Sequence, residues 1–400
     1  MKKKTVQDVD VKGKRVIVRA DFNVPLDEHG RITDDARIAK TLPTIRYLID
    51  QNAKLILMSH LGRPKGKPEA KYSLKPVAEH LAKLLDRKVE LQPDCVGAVV
   101  KAKAESLKNG EVILLENLRF HLEEEKNDPH FAKQLAALAQ IYVNDAFGTA
   151  HRAHASTEGI AHYLPAVAGF LLAKEIEYFD KVLENPKRPF ATILGGAKVS
   201  DKIKVIENLL NKVDQLLIGG AMAYTFLRGS GHQVGNSKVE TEGLEIAKTV
   251  MAKAKQKNVE LLLPVDHVIT QEINDQAQTQ VCGLDIPNGW VGGDIGPRTV
   301  ETFCSVLRKS KTVVWNGPLG IFEMKPFKTG TKKIAELLAQ IDATTVIGGG
   351  DTAAAVSQLN LEDKMSHVST GGGASLEYLE GQSLPGIQIL NDRQTVGTRA

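Results

Sequence analysis

Cysteine and aromatic residues are both scarce in this sequence. The chain has three cysteines in 400 residues, and they are scattered without CxxC spacing. We therefore expect small buried side chains rather than a disulfide framework or a zinc site. Aromatic residues make up 5% of the chain, which offers few platforms for stacking nucleic-acid bases. A net charge of +4 is slight for this length, so we expect no nucleic acid among the partners.

Long apolar runs are missing as well. No stretch approaches the length that is needed to span a membrane, so we expect no membrane partner. The residues Met1–Lys4 are basic, but polar residues follow them where a signal peptide needs an apolar core. These features predict a cytoplasmic protein.

Two common phosphate-binding motifs do not occur. The chain contains no GxxxxGK[ST], which excludes a P-loop protein, and no GxGxxG after a strand, which weakens a dinucleotide-binding interpretation. What is present is ordinary for a globular protein, with 42% apolar and 25% charged residues. At this length we expect two or three domains.

Short β-rich runs alternate with longer helical patterns from end to end, which is typical of parallel sheets covered by helices. The best domain boundary lies near Gly169–Pro189, where FLLAKEIEYFDKVLENP forms one amphipathic pattern, and we interpret this pattern as a helix that connects two domains. An ordinary crossover helix within one large sheet is the alternative. Other helices are predicted at Thr41–Gln51, Leu74–Leu85, Phe131–Gln140, Ser200–Leu210, Glu242–Lys255 and Lys332–Ile341.

The predicted strands of the first 155 residues end on basic or polar side chains. Because ligands bind at the carboxyl ends of strands in open α/β folds, several converging arginines predict a site for a small polyanion. Taken singly, each arginine is better explained as a solvated surface residue. His60 and His154 could be core or capping residues, and Asp21 and Asn23 are explained equally well as turn residues or as ligand contacts. This basic set comprises Arg19, Asp21, Asn23, Arg37, His60, Arg63, Arg119, His151, Arg152 and His154.

The predicted strands beyond residue 190 end on glycine instead. Gly348–Gly350 lies between an apolar run and a helix-forming stretch, and such a turn lets a phosphate approach a helix N-terminus. Asp351 is then either the N-cap of that helix or a carboxylate for Mg²⁺ on a nucleotide. Gly371–Gly373 repeats the pattern and is either a second anion site or a tight turn. Lys198 and Lys202, four residues apart, are either solvated or placed to hold an anion.

Eight blocks of the sequence resemble the phosphoglycerate kinase family, in the family order and over essentially the whole length. They are VRADFNVP, SHLGRP, LENLRF, VNDAFGTAHRAHAS, LGGAKVSDKI, VVWNGPLGIFE, VIGGGDT and HVSTGGGASLE. The resemblance implies reversible phosphoryl transfer between 1,3-bisphosphoglycerate and ADP, giving 3-phosphoglycerate and ATP. It further implies Mg²⁺ bound with the nucleotide, in-line transfer after hinge closure, small-molecule substrates as the partners, and a monomer.

The resemblance also assigns site residues. The triose substrate would be bound by Asp21, Phe22, Asn23, Arg37, His60, Leu61, Gly62, Arg63, Arg119 and Arg152. The nucleotide would be bound by Lys202, Gly292, Glu323, Gly349, Gly350, Asp351 and Thr352, with Asp351 contacting Mg²⁺. The catalytic groups around the transferring phosphoryl would be Arg37, Lys198, Lys202, Gly371, Gly372 and Gly373.

The family fold is two Rossmann-like parallel-sheet domains joined by an interdomain helix, in the α/β class. It implies a triose-binding domain at 1–170, a connecting helix at 171–186, a nucleotide-binding domain at 187–385 and a tail, 386–400, that packs on the first domain. The chain departs slightly from the family pattern at Gly220-Ala221 and Gly292-Gly293, and its last ten residues match no known motif.

Three rival functions remain on sequence grounds. Another acyl-phosphate kinase would need a different set of anion-binding residues, and an NAD-dependent dehydrogenase would need the missing dinucleotide motif. A non-catalytic anion- or RNA-binding protein would explain the basic strand ends, but it would leave the Gly349–Thr352 turn unexplained.

Overall fold

A computed structural model describes residues 2–393 of the chain. Its described residues form two compact units, one made of residues 2–177 together with residues 383–393, and the other of Tyr178–Gln382. The boundary at Glu177 falls inside a helix, Phe170–Glu184. Within the described residues, no helix is both long enough and apolar enough to cross a membrane.

The first unit is built on a six-stranded sheet in which every neighbouring pair is parallel. Its strands are β1 (Arg15–Arg19), β2 (Lys54–Met58), β3 (Val89–Leu91), β4 (Val112–Leu114), β5 (Ile141–Asn144) and β6 (Ala166–Ala168). Their order in the sheet is β3-β4-β2-β1-β5-β6. The strands are short and buried along almost their whole length, as expected for a sheet that is covered on both faces.

Helices cover this sheet, and their buried side chains pack with those of β1 and β2 to form the core of the unit. They are α1 (Ala36–Asp50), α2 (Lys75–Leu85), α3 (Ala98–Ser106), α4 (Leu122–Glu125), α5 (Pro129–Ala136) and the start of α6 (Phe170–Glu184). Local sequence sets several of their ends. The Asp128 side chain accepts a hydrogen bond from Phe131 N (2.9 Å) and Pro129 is the first helical residue, so α5 begins two residues before the predicted start.

The described end of the chain packs on the first unit. Asn391 O accepts a hydrogen bond from Lys4 N (2.8 Å), and Gly386 O accepts one from Asn144 Nδ2 (3.0 Å). Lys3 also pairs with Asp392 at 2.8 Å. Residues 386–393 of the expected tail therefore contact β5 and the N-terminal segment, whereas residues 394–400 lie outside the described residues.

The second unit contains another parallel six-stranded sheet. Its strands, in the order found across the sheet, are β15 (His367–Val368), β14 (Thr344–Gly348), β13 (Thr312–Asn316), β7 (Phe190–Leu194), β8 (Gln215–Ile218) and β9 (Glu260–Leu262). A small antiparallel sheet, unforeseen from the sequence, joins β11 (Gln280–Cys282), β10 (His267–Thr270) and β12 (Val291–Ile295). Its strands are short, and two adjacent glycines interrupt β12, so they carry little alternating pattern.

Helices of the second unit pack against the parallel sheet around the buried Trp315. They are the end of α6, α7 (Ile203–Leu209), α8 (Met222–Gly229), α9 (Leu244–Gln256), α10 (Pro297–Leu307), α11 (Thr329–Leu338), α12 (Gly350–Gln358) and α13 (Gly373–Leu379), and the chain then continues into α14 (Pro385–Gln388) of the first unit. Two parallel sheets with covering helices confirm the predicted α/β class. All six helices predicted from periodicity are present, with their ends shifted by up to five residues.

Candidate functional site

The basic set of the first unit gathers at one edge of its sheet. Arg19, the last residue of β1, lies opposite Met58 of β2 and Asn144 of β5, and Leu57 of β2 lies opposite Leu114 of β4. The four segments that follow these strands therefore start side by side. They carry every residue of the predicted triose set except Arg37.

Arg37 joins this edge through an ion pair. It is the second residue of α1, and its guanidinium donates a hydrogen bond to the Asp21 carboxylate at 2.7 Å. The other Asp21 oxygen accepts from Asn23 N at 3.3 Å, and Asn23 Oδ1 in turn accepts from Gly62 N at 2.8 Å. Asp21 and Asn23 thus serve as turn residues, and at the same time Asp21 orients a half-buried arginine.

The Leu61-Gly62 turn is held rigidly beside these residues. Gly62 has φ +62°, and a Cβ atom there would lie 2.5 Å from the Tyr72 ring, so the position requires glycine. Gly62 O accepts a hydrogen bond from Arg119 (3.0 Å), and the Asn117 amide donates to Leu61 O at 2.7 Å. Asn117 was not singled out from the sequence, although it lies within the LENLRF block.

A buried polar network lies beneath the basic set. Arg19 is fully buried, donates to Ser156 Oγ at 2.8 Å, and lies 3.1 Å from His60 Nδ1. Burial, and then the positive charges of Arg19, Arg119 and Arg37, hold the pKa of His60 well below its ordinary value. Since an arginine only donates, His60 Nδ1 is the acceptor, and the proton of the neutral ring is on Nε2. Sequence reasoning left His60 open as a core residue, and the structure gives it a defined tautomer.

His154 and Arg119 extend this network. Burial, followed by the charges of Arg19 and Arg119, lowers the pKa of His154 to about 4. The Arg119 guanidinium lies 3.3 Å from a Glu125 oxygen. Three carboxylates, Asp21, Glu124 and Glu125, lie against this edge. The five arginines of the basic set outnumber them, and this surplus of positive charge favours an anionic ligand.

Arg63 and Arg152 are the members of the predicted triose set that are least held in place. Both are exposed. Arg152 donates to His151 at 3.2 Å, and its charge is close enough to lower the pKa of His154. For Arg63, the described part of the chain offers no hydrogen bond or ion pair. Both side chains are free to adjust to a ligand.

In the second unit, the glycine-tipped strands also end at a common edge. Asn316, the last residue of β13, lies opposite Gly348 of β14 and Leu194 of β7. The turns that follow pack backbone to backbone, because a Cβ atom at Gly195 would lie 2.0 Å from Pro318 O. The glycines at these strand ends therefore allow neighbouring turns to touch.

The Gly348–Gly350 turn leads directly into α12. Gly349 has φ +86° and is the N-cap residue of this helix, and no side chain caps the helix start. The N-cap alternative for Asp351 is therefore wrong, because Asp351 lies in the first turn as the second helical residue, with its carboxylate exposed. Thr352 is buried, and its hydroxyl accepts a hydrogen bond from Gly317 N at 2.6 Å, which ties the turn after β13 to α12.

Lys202 reaches the same turn from the start of α7. Its ammonium donates to the Asn316 side-chain oxygen and lies 3.4 Å from Asn316 O. Burial lowers the pKa of Lys202 to about 8, although the nearby carboxylates of Asp201 and Asp351 act in the opposite direction. Lys202 is therefore partly buried and close to Asp351. The alternative that Lys198 and Lys202 are both simply solvated does not hold for Lys202.

Asn316 was not predicted from the sequence as a site residue. It is 3% exposed, and its Nδ2 group has no hydrogen-bond partner among the described residues. A Cβ atom at Gly349 would lie 3.1 Å from this Nδ2 group, so the amide faces the Gly348–Gly350 turn. The sequence did contain a signal, because the strand TVVWN ends on a polar residue. The strand was instead grouped with those that end on glycine, since Gly317 follows Asn316.

Lys198 is exposed and is positioned by the chain around it. The Glu240 carboxylate accepts hydrogen bonds from Val199 N (2.7 Å) and Ser200 N (3.1 Å). Burial alone would raise the pKa of Glu240, but hydrogen bonds from Ser200 and Val199 and the charge of Lys198 lower it below its usual value. Glu240 therefore fixes the segment that carries both lysines.

The remaining predicted residues of this unit lie in two places. Gly372 has φ +49° and is the N-cap residue of α13, so Gly371–Gly373 forms a glycine turn at a helix start. Gly292 lies in β12 directly beneath Tyr224, where a Cβ atom would lie 2.1 Å from the tyrosine hydroxyl. Glu323 is exposed in a turn that is tied to β12 by a hydrogen bond from Ile321 N to Gly293 O (3.0 Å). Gly292 and Glu323 are thus on neighbouring segments.

Comparisons with known proteins give consistent results. The phosphoglycerate kinase family model matches residues 6–382 of the chain. Phosphoglycerate kinases of Chloroflexus aggregans and Moorella thermoacetica are each 56% identical to it, over 400 and 394 residues, covering 98% of this chain and 100% of theirs. The solved structure of phosphoglycerate kinase from Coxiella burnetii is similar with a TM-score of 0.90 and 44% identity, covering 97% of this chain and 98% of that one.

Proposed function

This chain belongs to the phosphoglycerate kinase family, and from that premise we propose how its own residues carry out the reaction. The chain is a phosphotransferase, which moves a phosphoryl group reversibly between 1,3-bisphosphoglycerate and ADP and so produces 3-phosphoglycerate and ATP. The resemblance seen in the sequence is thereby confirmed. The family assignment replaces the three rival functions, including the RNA-binding one, as the explanation of this sequence.

We propose that the sheet edge of the first unit binds the triose. The arginines at this edge would hold the phosphate and carboxyl groups, because their planar guanidinium groups bind such anions in a bidentate manner. Neutral His60 would donate from Nε2 to a substrate oxygen without adding a second buried charge. Asp21 would hold the Arg37 guanidinium, which lies 2.7 Å away, ready for the ligand. Phe22 is fully buried and Leu61 nearly so, and both would shape the wall of the site.

We propose that the Gly348–Gly350 turn and α12 bind the phosphates of the nucleotide. The observation that carries this proposal is the pairing of Lys202 with Asn316 against a helix start that no side chain caps. The free N–H groups of α12 and the Nδ2 group of Asn316 are unsatisfied donors that a phosphate would satisfy. The ribose and base would then lie towards Glu323 and Gly292.

Asp351 fits the role expected for a magnesium ligand. Its carboxylate is exposed, does not cap α12, and is close enough to Lys202 that its charge counteracts part of the lowering of the pKa of that lysine by burial. Mg²⁺ is commonly held by one or two carboxylates together with phosphate oxygens. The Asp351 carboxylate and the phosphates of a nucleotide at the start of α12 would provide such a set of ligands. When bound, the ion would neutralise the phosphate charge, and Asp351 would hold it at the start of α12.

Phosphoryl transfer depends on positioning and charge stabilisation more than on acid–base chemistry. The donor is an acyl phosphate, and its carboxylate product needs no proton, so a general base is not required. We propose that Arg37, Lys198, Lys202 and the N–H groups at Gly371–Gly373 stabilise the transferring group. Closure about a hinge would bring the two bound substrates together for in-line transfer and would exclude water.

A coupled assay with Mg²⁺-ATP and 3-phosphoglycerate tests these assignments. Replacing Arg37 or Lys202 with alanine is expected to lower kcat/KM by about 100-fold or more, because each removes a preorganised positive group. Lys204→Ala is the matched control, since Lys204 is an exposed lysine two residues from Lys202. An inactive wild-type protein would refute the reaction, whereas unchanged rates in both variants would refute only the site assignment.

We also propose that the enzyme works as a monomer in the cytoplasm and that it becomes more compact when both substrates are bound. Light scattering after size exclusion tests the first point for the purified chain. Small-angle scattering tests the second, and an unchanged radius of gyration in the ternary complex would refute hinge closure.

A further inference from the structure

Three side chains that the phosphoryl-transfer chemistry does not use come together in the first unit. They are Asp94, Cys95 and His121, and their potential ligand atoms all lie within 4.8 Å of one another. His121 Nε2 is 2.6 Å from an Asp94 oxygen, and the Cys95 thiol donates to Glu116 O at 3.0 Å. A carboxylate, an imidazole and a sulfur thus share one small space, and all three are ligand types that bind divalent transition metals.

The folding of two separate segments produces this cluster. Asp94 and Cys95 follow β3, whereas His121 follows the short 3-10 helix Leu118–Phe120 after β4. The strands β3 and β4 are parallel neighbours, so their carboxyl ends bring the two segments together. The His121 ring also stacks on Phe131, with 4.9 Å between ring centroids, which restricts its orientation.

The cluster has room for a further ligand. It borders an open cleft of about 350 Å³, whose lining includes Asp94, Glu116, Ser73 and His121. Cys95 is fully buried behind this cleft, while Asp94 and His121 are only partly buried. A small ion from the cleft would therefore meet Asp94 and His121 first, the sulfur would bind it from the buried side, and water would remain available to complete its coordination.

The surrounding charge favours a cation. The Glu116 carboxylate accepts hydrogen bonds from Ser73 Oγ (2.7 Å), Leu74 N (2.8 Å) and Asn117 N (2.8 Å), which holds a second negative charge beside Asp94. Because these three donors take up most of the acceptor positions of Glu116, we expect it to act on a bound ion mainly through its charge. The only cationic form of the cluster itself would be a protonated His121.

We propose that Asp94, Cys95 and His121 form a binding site for a zinc-type divalent metal ion, separate from the magnesium of the nucleotide. One sulfur, one nitrogen and one oxygen ligand suit Zn²⁺ or Co²⁺, whereas Mg²⁺ prefers oxygen ligands alone. On binding, the Cys95 S–H bond breaks, its proton leaves to solvent, and the sulfur electron pair forms the bond to the metal. The proton that His121 Nε2 donates to Asp94 is given up to solvent while Nδ1 takes one from solvent, which frees the Nε2 lone pair and the Asp94 oxygen for the metal. A water molecule from the cleft takes the fourth position. The ion would tie the segment after β3 to the segment after β4.

Cobalt titration tests this site in the full-length protein. Co²⁺ added to the metal-free enzyme in excess Mg²⁺ is expected to give a thiolate-to-cobalt absorption band that saturates at one ion per chain. Cys95→Ala is expected to abolish the band, and His121→Ala is expected to weaken binding at least about tenfold. Cys282→Ala is the matched control and keeps the band, since Cys282 is a free and more accessible thiol outside the cluster.

Kinase activity and melting temperature, measured on the same samples, show whether each variant is folded and whether it binds zinc. Cys95→Ala is expected to retain the kinase activity of the wild type, because Cys95 is not part of the substrate or nucleotide sites. Zinc is expected to raise the melting temperature of the wild type but not of this variant, since a ligand stabilises only the state that binds it. The absence of a band in the wild type, its persistence in Cys95→Ala or its loss in Cys282→Ala would each overturn the proposal.

Discussion

Replacing Lys202 with methionine tests the partly buried lysine through stability as well as through activity. The pKa of Lys202 in the folded chain is about 8, against 10.5 for an ordinary lysine. The folded protein therefore binds this proton less tightly than the unfolded chain does. Between these two pKa values the unfolded chain carries more protons, so the free energy of unfolding rises with pH in that window.

The size of the effect follows from the two pKa values. At about 1.4 kcal/mol per pKa unit, the lysine destabilises the ligand-free fold by about 3 kcal/mol at low pH. Of this, about 2 kcal/mol is recovered between about pH 7 and about pH 9.5. Lys202→Met removes the titrating group and keeps most of the side-chain bulk. The free energy of unfolding of the variant should lack this increase, while its kinase activity falls about 100-fold or more.

Tryptophan fluorescence during urea unfolding is the assay, because both tryptophans, Trp290 and Trp315, lie in the unit that contains Lys202. The observable is the difference in unfolding free energy between variant and wild type, measured at each pH. The lost hydrogen bond to Asn316 shifts this difference equally at every pH and leaves its slope unaffected. Lys204→Met serves as the control and should show the wild-type slope.

Two results would refute the reasoning. If wild type and Lys202→Met gain the same stability between neutral and alkaline pH, the lysine is not held in a desolvated position. If saturating Mg²⁺-ADP leaves the slope of the wild type unchanged, Lys202 does not contact the phosphates, because a bound phosphate would return its pKa towards the ordinary value.

Three further predictions concern the second unit. Gly292→Ala places a methyl group against the buried Tyr224 ring and should destabilise the unit by about 1–3 kcal/mol in urea unfolding, with the loss reduced in a Gly292→Ala/Tyr224→Ala double variant. Thr352→Val leaves Gly317 N without its acceptor and should cost about 1–3 kcal/mol in the same assay, so an unchanged midpoint would contradict this hydrogen bond. Asp351→Asn should weaken ADP binding, measured by calorimetry, with Mg²⁺ present but not with EDTA, and equal losses in both conditions would contradict its role as a metal ligand.

Local pattern was sufficient for most of the fold. Strand-like runs with helical stretches between them predicted the parallel sheets, because each periodicity is a property of neighbouring residues. The connecting helix was predicted at 171–186, within a boundary region near Gly169–Pro189, and a helix is found at Phe170–Glu184. The small sheet of β10, β11 and β12 was missed, since short strands with internal glycines carry no such pattern. The functional division at 1–170, 171–186 and 187–385 stays a proposal, as do the roles of the individual site residues.

The sequence by itself determined the family, the fold class and the two chemically different sets of strand ends. Only the tertiary structure decided which side chains meet. Lys202 and Asn316 are 114 residues apart, and no local pattern predicts that they share a hydrogen bond. Likewise, the neutral state of His60 follows first from its own burial and then from the charge of Arg19 beside it, and the Asp94, Cys95 and His121 cluster follows from the pairing of β3 with β4. Contacts and burial of this kind arise from packing between distant segments, whereas a strand or a turn is encoded within a few residues.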